Sequence, residues 1–252
     1  MRTILITGAS GGLVQAMVPL LKEDYLILLG RDREKIERLY AAHPRKWVAD
    51  VDIRDEAALA AFIDQVESQH GPIDILVNNA GYARYGAFEQ FTSREVEEMF
   101  AINLFALMTL SRLVGRRMKE RRQGLILSIV SMSGHLATAQ SSVYSASKFA
   151  ALGFSNAIRL ELAPYNVQVT TVNPGPVATG FFDLADPDGS YQERVKAFLL
   201  QPEKVARVLV RAMNKRPREV NLPFSLALVR VVYTLFPNLC DDLARTAFDF
   251  KK

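Results

Sequence analysis

The sequence predicts an α/β fold: a doubly wound parallel sheet of about seven strands with helices on both faces, in one domain covering 1–252. Short apolar runs at 3–7, 25–29, 46–49, 73–77, 125–130 and 167–172 alternate with longer stretches of helical periodicity. Most of these runs are apolar at successive positions, which suits strands buried on both faces between layers of helices. Small residues and side-chain amides close several of the runs, at Gly8, Gly30, Asn78 and Asn173, where a chain must bend beneath a ligand.

The first unit reads as strand 3–7, a flexible turn over 8–12, and a helix from Leu13. Such a unit aims backbone N–H groups and a helix N-terminus at one spot, an anion site suited to a pyrophosphate. Gly8 permits the tight turn and Gly12 lets a phosphate approach the backbone, while Val14 stands where a third glycine is expected. Pro19 falls inside this helix and predicts a kink. Strand 25–29 ends in Gly30, Arg31, Asp32 and Arg33. A carboxylate at such a tip takes the ribose hydroxyls of NAD, whereas Gly30 followed by Arg31 suits a 2′-phosphate. Arg31 also reads as the start of a helix of alternating charges, with Asp32 beside it.

Strand 46–49 leads into a loop, 50–54, an amphipathic helix, 55–69, and strand 73–77, which ends in Asn78, Asn79, Ala80 and Gly81. The long helical stretch 92–119 sets Asn103 among Ile102, Leu104, Phe105 and Leu107. A buried amide must be satisfied, here either by clamping a backbone carbonyl or by holding a water. Helix 146–162 is rich in small residues and suits close packing on another helix. Strand 167–172 is closed by Asn173, Pro174, Gly175 and Pro176. Residues 176–200 carry Phe181, Phe182, Leu184 and Tyr191 among polar residues, the composition of a mobile lid over an apolar ligand. Helix 202–213, a short edge strand at 219–222 and a C-terminal helical extension, 223–252, complete the chain.

At 252 residues, with 49% hydrophobic and 23% charged, the chain can bury a large core and is not disordered. The net charge of +4 is mild. Its clearest cluster, Arg112, Arg116, Arg117, Lys119, Arg121 and Arg122, reads as a solvated helix face rather than a nucleic-acid or anionic-lipid patch. Cys240 is the only cysteine, which excludes an internal disulfide and thiolate metal clusters and points to a reducing interior, hence a cytoplasmic location. His43, His70 and His135 are solitary, without metal-ligand spacing. The start of the chain reads as a strand and not a signal peptide. The apolar stretch 222–239 contains Arg230 and is bounded by prolines, which favours a buried or interfacial helix over a membrane span.

The most pointed chemistry lies between Ser131 and Lys148. Tyr144 and Lys148 are four residues apart, so on a helix the phenol and the ammonium share a face. A fixed ammonium favours the phenolate and pulls down a pKa that is ordinarily about 10, which lets a tyrosine exchange a proton with a carbonyl or alcohol oxygen. Ser131 follows strand 125–130, which delivers its hydroxyl to the sheet edge, where it could hold that same oxygen. The bland reading of the Tyr144 and Lys148 spacing is a surface pair.

Together these pieces resemble the short-chain dehydrogenase/reductase family in its single-domain, Rossmann-type form, over roughly 3–222. The residues that carry the resemblance are Thr7, Gly8 and Gly12, the quartet from Asn78 to Gly81, Asn103, Ser131, Tyr144 with Lys148, and Pro174, Gly175, Val177 and Thr179. The resemblance implies that Tyr144 is the general acid/base, that Ser131 bonds the substrate oxygen, and that Lys148 binds the nicotinamide ribose. It implies that Asn103 holds a water for a proton relay. It places the cofactor phosphates on Gly8, Ser10, Gly11, Gly12 and Leu13, the 2′-phosphate on Arg31, and the adenine at Asp52 and Ile53. Asn79, Ala80 and Gly81 lie along the ribose side, and Pro174, Gly175, Val177 and Thr179 against the carboxamide. NADP(H) is therefore preferred over NAD(H).

The substrate implied is a small hydrophobic ketone, aldehyde or secondary alcohol, since His135 to Ala139, Tyr82, Val177, Phe181, Phe182 and Leu184 form a mostly apolar lining. A homodimer or homotetramer is implied, with no nucleic-acid partner. Val14 departs from the family pattern and leaves a second reading, a catalytically weak NADP(H)-binding sensor or scaffold. A third reading is a membrane-surface or partner-binding module through 222–250, where Leu226, Val229, Tyr233 and Phe236 form an apolar stripe. It is less favoured, because such stripes usually pack on their own core or a sister subunit.

Overall fold

Alternate residues of each central strand enter different hydrophobic cores, which explains why the strand sequences are apolar throughout. In the computed structural model, which describes residues 1–186 and 189–247, Ile4 and Ile6 join one core with Val14, Met17, Ile36, Leu209 and Met213. Leu5 between them joins the other, with Leu59, Ile63, Leu110, Val114 and Ile126. The sheet separating these cores has the order β3-β2-β1-β4-β5-β6-β7. Every neighbouring pair is parallel. Its strands are β1 (Thr3–Thr7), β2 (Tyr25–Leu29), β3 (Lys46–Ala49), β4 (Ile75–Asn78), β5 (Gly124–Ile129), β6 (Val167–Pro174) and β7 (Glu219–Leu222).

Helices α1 (Gly12–Met17), α2 (Arg33–Leu39) and α9 (Pro202–Lys215) contribute to one core; α3 (Glu56–His70), α5 (Ala106–Glu120) and α6 (Ser142–Leu162) contribute to the other. Strand order reverses between β1 and β4, and in a doubly wound sheet the crevice outside the carboxyl ends at that point is where ligands bind. The basic cluster is largely ion-paired: Arg112 with Glu56, Arg116 with Glu120, and Arg117 and Arg121 with Glu67, while Lys119 and Arg122 lie over the Tyr165 ring.

Four expectations need correcting. Helix α1 stops at Met17 and Pro19 sits in a following 3-10 turn, Val18–Leu20, so the proline marks the helix end and makes no kink. The fourth strand starts at Ile75, two residues later than its apolar run suggests, and continues through Asn78. The stretch 92–119 is α4 (Ser93–Phe100) and α5 joined by a π turn over Ala101–Phe105, with Asn103 at its centre. Although Ser93–Glu120 is apolar enough to cross a bilayer, half of its most apolar window is buried within the protein.

The fourth concerns the C-terminal extension, of which 248–252, including Phe250, lie outside the described residues. Its helix α10 (Phe224–Leu235) has no fully buried residue. Of the expected stripe only Leu226 and Tyr233 are half-buried, while Val229 and Phe236 are exposed. After β6 the chain forms two short helices, α7 (Phe181–Ala185) and α8 (Ser190–Val195), closed off by a bridge between Val177 and Leu200. Residues 187 and 188 of the expected lid, and the Tyr191 side chain, lie outside what is described. Helix α11 (Pro237–Ala247) ends the described chain.

Candidate active site

The carboxyl ends of β1 and β4 are tied together by side chains. The Thr7 hydroxyl accepts from the backbone N–H groups of Asn79 and Ala80 at 3.0 and 2.9 Å, and the Asn79 amide donates to the Thr7 and Gly8 carbonyls at 2.9 and 3.2 Å. Gly8 has φ of +67°, and a Cβ there would stand 2.9 Å from the Ala80 Cα, so both its conformation and its neighbours require glycine. The turn closes with Gly11 donating to the Gly8 carbonyl at 3.0 Å, and the Ser10 carbonyl accepts from the Gln15 side chain at 2.8 Å. Across the crevice, Thr179 reaches Gly12 so closely that a Cβ on Gly12 would lie 3.0 Å from it.

The loop after β6 thus comes down onto the glycine turn, and Gly175 donates to the Leu222 carbonyl at 2.6 Å. Val14 does not crowd this mouth. It is wholly buried in the core beneath, so the volume of the branched side chain is taken up by packing.

At the far end of the crevice, β2 and β3 place Arg31, Asp52 and Ile53. Arg31 is exposed. The two carboxylates near it are already engaged: Asp32 caps α2 by accepting from the Lys35 N–H at 2.9 Å, and Asp52 is gripped by the Arg54 guanidinium at 2.6 Å. Bonds from Arg54, and more weakly the charge of Arg31, hold the Asp52 carboxyl below its ordinary pKa. Gly30 leaves no room for a larger side chain without movement of Ile36, whose Cδ1 lies 2.4 Å from an added Cβ.

Strand β5 delivers Ser131 to the same edge, where its hydroxyl accepts from the Ser133 N–H at 3.0 Å and shapes a 3-10 turn, Met132–Gly134. That turn abuts α6: a Cβ on Gly134 would lie 2.9 Å from the Lys148 carbonyl. Tyr144 stands in the first turn of α6 and Lys148 in the next, both buried, with Nζ 5.7 Å from the phenol ring centre. Burial pulls the Lys148 pKa down to about 8. Nζ lies 3.4 Å from where a Cβ would stand on Gly81, so the ammonium adjoins the backbone that follows β4. The surface-pair reading of these two residues is therefore wrong.

Asn103 uses its amide as a clamp. It donates to the Tyr82 carbonyl at 2.9 Å and the Ser147 hydroxyl at 3.0 Å, and its Oδ1 accepts from the Tyr82 N–H at 3.0 Å. The backbone clamp, one of the two options open in the sequence, is thus made. The π turn carries the residue to this position; single π turns are frequent at functional sites.

Of the neighbours of this site, Phe181 and His135 stand in the lining expected from the sequence, while Tyr85, Ala83, Met99 and Ala185 are missed there. Tyr85 meets the Tyr144 ring edge-on at 6.0 Å and Phe181 lies against it at 6.1 Å, with Ala83, Met99 and Ala185 packed around. The Tyr85 N–H donates to the Ala185 carbonyl at 2.9 Å, joining this wall to α7. His135 lies 3.1 Å from the Asn173 amide, which donates to Asn221 at 2.7 Å, while Glu219 receives bonds from Asn221 and Arg230. Burial, and then the charge of Arg230, hold the His135 pKa low. These contacts join four separate segments, and no local pattern announces them.

The site fits a dinucleotide by its own geometry. It has a left-handed glycine, a Cβ-free cradle facing Thr179, an exposed arginine at one end, and a buried ammonium beside a phenol at the other. No cluster of metal-ligating side chains occurs among the described residues.

Comparison with known proteins agrees. The model of the short chain dehydrogenase family matches residues 2–188. The chain is 34% identical to a 3-ketodihydrosphingosine reductase of Bacteroides thetaiotaomicron, over 78% of this chain and 72% of that protein. It is 30% identical to retinol dehydrogenase 8 of Homo sapiens, over 94% of this chain and 80% of that one. A short-chain dehydrogenase from Sphingobium yanoikuyae in complex with NADPH superposes with a TM-score of 0.80 at 26% identity, covering 94% of this chain and 96% of the other. The chain belongs to the short-chain dehydrogenase family, oxidoreductases that act on alcohol and keto groups with a nicotinamide cofactor.

Proposed function

We propose that the protein is an NADP(H)-dependent oxidoreductase that interconverts the carbonyl and secondary alcohol of a small hydrophobic substrate. The observation that carries this reading is the burial of Lys148 one helical turn from Tyr144, inside an aromatic enclosure. A bound nicotinamide supplies or accepts the hydride. Tyr144 gives its phenolic proton to the carbonyl oxygen in reduction and takes it back in oxidation. Lys148, charged below about pH 8, favours the phenolate that remains. Ser131 donates to the same oxygen and orients the carbonyl. Asn103 is a positioning residue, holding the backbone after Gly81 against α6.

Preference for NADP(H) is supported by Arg31, exposed at the tip of β2 while Asp32 and Asp52 are occupied by other partners. A hydrophobic substrate is supported by Tyr85 and Phe181 around Tyr144, and by two relatives named for acting on a ketosphingoid base and on retinol. We further infer a homo-oligomer formed through α5 and α6, whose outer faces expose Met108 and Leu160 at 37% and 76%. The test is NADPH consumption with a panel of long-chain and aromatic ketones and aldehydes, with Tyr144→Phe as comparison. Turnover that falls by about 100-fold or more in the variant, with NADPH binding retained, is expected. Tight binding without turnover on any member would sink the enzyme in favour of a nucleotide-binding scaffold.

A further inference from the structure

Helix α10 is amphipathic the wrong way round for a helix at a water-exposed edge. Its one charged residue, Arg230, points inward to Glu219, and Leu226 packs inward within 3.0 Å of an added Cβ on Gly175. Its outward face, at the i, i+4, i+7 and i+11 positions, is Phe224, Leu228, Val231 and Leu235, which are 81%, 58%, 50% and 66% exposed. Val232 widens this face and Phe236 continues it. Six large apolar side chains are thus left exposed along one helix face, which is more than the singly scattered apolar residues normal on a monomer's surface. None of these residues belongs to α5 or α6, the helices of the inferred oligomer contact.

The chemistry of the face selects among possible occupants. A protein interface of ordinary size carries about ten direct hydrogen bonds and a polar rim that fixes register. Here the outward arc has two polar side chains, Ser225 and Thr234, and the Thr234 hydroxyl donates to the Arg230 carbonyl of its own helix at 2.9 Å. Hydrocarbon asks for no such partners. The helix has 12 residues, so at about 1.5 Å per residue it is roughly 18 Å long, against about 30 Å for a bilayer core. It is too short to span and suited to lying in the plane of a lipid surface.

We propose that the outward face of α10 seats the protein on the acyl region of a phospholipid surface. Because α10 packs on Gly175, beside the loop that descends onto the glycine turn, the lipid then lies next to the crevice. A substrate dissolved in the lipid reaches the site without crossing water. The seating itself does not depend on the chemistry assigned to Tyr144.

The test is flotation of the full chain with vesicles of neutral phosphatidylcholine, at low salt and at about 1 M salt, where charge interactions are screened. The wild type is expected to float at both salts, since its contact face carries no charge. In the variant L228E/V231E/L235E the bound fraction is expected to fall at least about tenfold. Circular dichroism and melting should be unchanged, because all three positions already face solvent. Val231→Glu alone serves if the triple variant misfolds, and Leu160→Glu, at an exposed position of α6, should float normally. The proposal is overturned if wild type stays in the lipid-free fraction, or if high salt releases it. It is equally overturned if sedimentation shows an oligomer in buffer that L228E/V231E/L235E dissolves while vesicles recover no protein; the occupant is then a second copy.

Discussion

Replacing Lys148 with methionine should make the protein more stable and nearly inactive. Burial lowers the Lys148 pKa from 10.5 to about 8, and each unit corresponds to about 1.4 kcal/mol, so keeping the ammonium charged at pH 7 costs the native state about 3 kcal/mol. The unfolded chain holds this proton up to about pH 10.5 and the folded chain only up to about 8. Between those values the unfolded state binds more protons, and stability rises with pH. Lys148→Met, neutral throughout, should therefore exceed wild type at pH 7 and lose most of that advantage by pH 10. For a chain of this size about 3 kcal/mol corresponds to roughly 6–12 °C in melting temperature. Thermal unfolding followed by circular dichroism without nucleotide, at pH 7 and pH 10, measures both quantities. Turnover of the same variant should drop by about 100-fold or more, because the phenolate loses its neighbouring charge. A variant less stable than wild type at pH 7, or an advantage equal at both pH values, would refute the reasoning.

Arg31→Ala should weaken NADP(H) by about tenfold or more while leaving NAD(H) nearly unchanged, as read by quenching of protein fluorescence; equal losses for both would remove the assignment of Arg31 to the 2′-phosphate. Gly8→Ala puts a side chain on a backbone with φ of +67° and 2.9 Å from Ala80, and should cost roughly 1–3 kcal/mol in urea unfolding. Asn103→Ala leaves the Tyr82 N–H and carbonyl without their partner, so a loss of about 1–3 kcal/mol is expected. With Asn103 as a clamp, stability and turnover fall together; turnover lost at full stability would instead favour a water-holding role.

The sheet was legible because parallel strands covered on both faces are apolar at most positions, as in β1, β2 and β4, and an uninterrupted apolar run between polar stretches has few other uses. The crevice was legible for a related reason. Bending a chain at a strand end under a ligand needs glycine or an amide, and these stand at Gly8, Gly30, Asn79 and Gly81. Tyr144 and Lys148 could be paired because helical spacing alone puts them on one face. Phe181 could be expected in the lining, but Tyr85 could not, since it is brought to the phenol by the loop after β4 and no local pattern marks it. Nor could the π turn at Ala101–Phe105 be read, because a change of hydrogen-bond register leaves hydrophobic periodicity almost untouched.

The failure at α10 has a specific cause. A helix with the sequence FSLALVRVVYTL is apolar nearly all round, so periodicity admits several stripes and cannot say which is turned inward. Two contacts go with its rotation: Leu226 packs against Gly175, and the Arg230 guanidinium reaches Glu219, which also holds Asn221 and, through it, Asn173 beside His135. Turning Arg230 outward would take from this half-buried carboxylate the shortest of its ion pairs, at 2.5 Å against 3.9 Å to Arg218. The charge therefore goes inward and Phe224, Leu228, Val231 and Leu235 go outward. The residue that argues against a membrane-spanning stretch is the same one that leaves an apolar face available to a lipid surface.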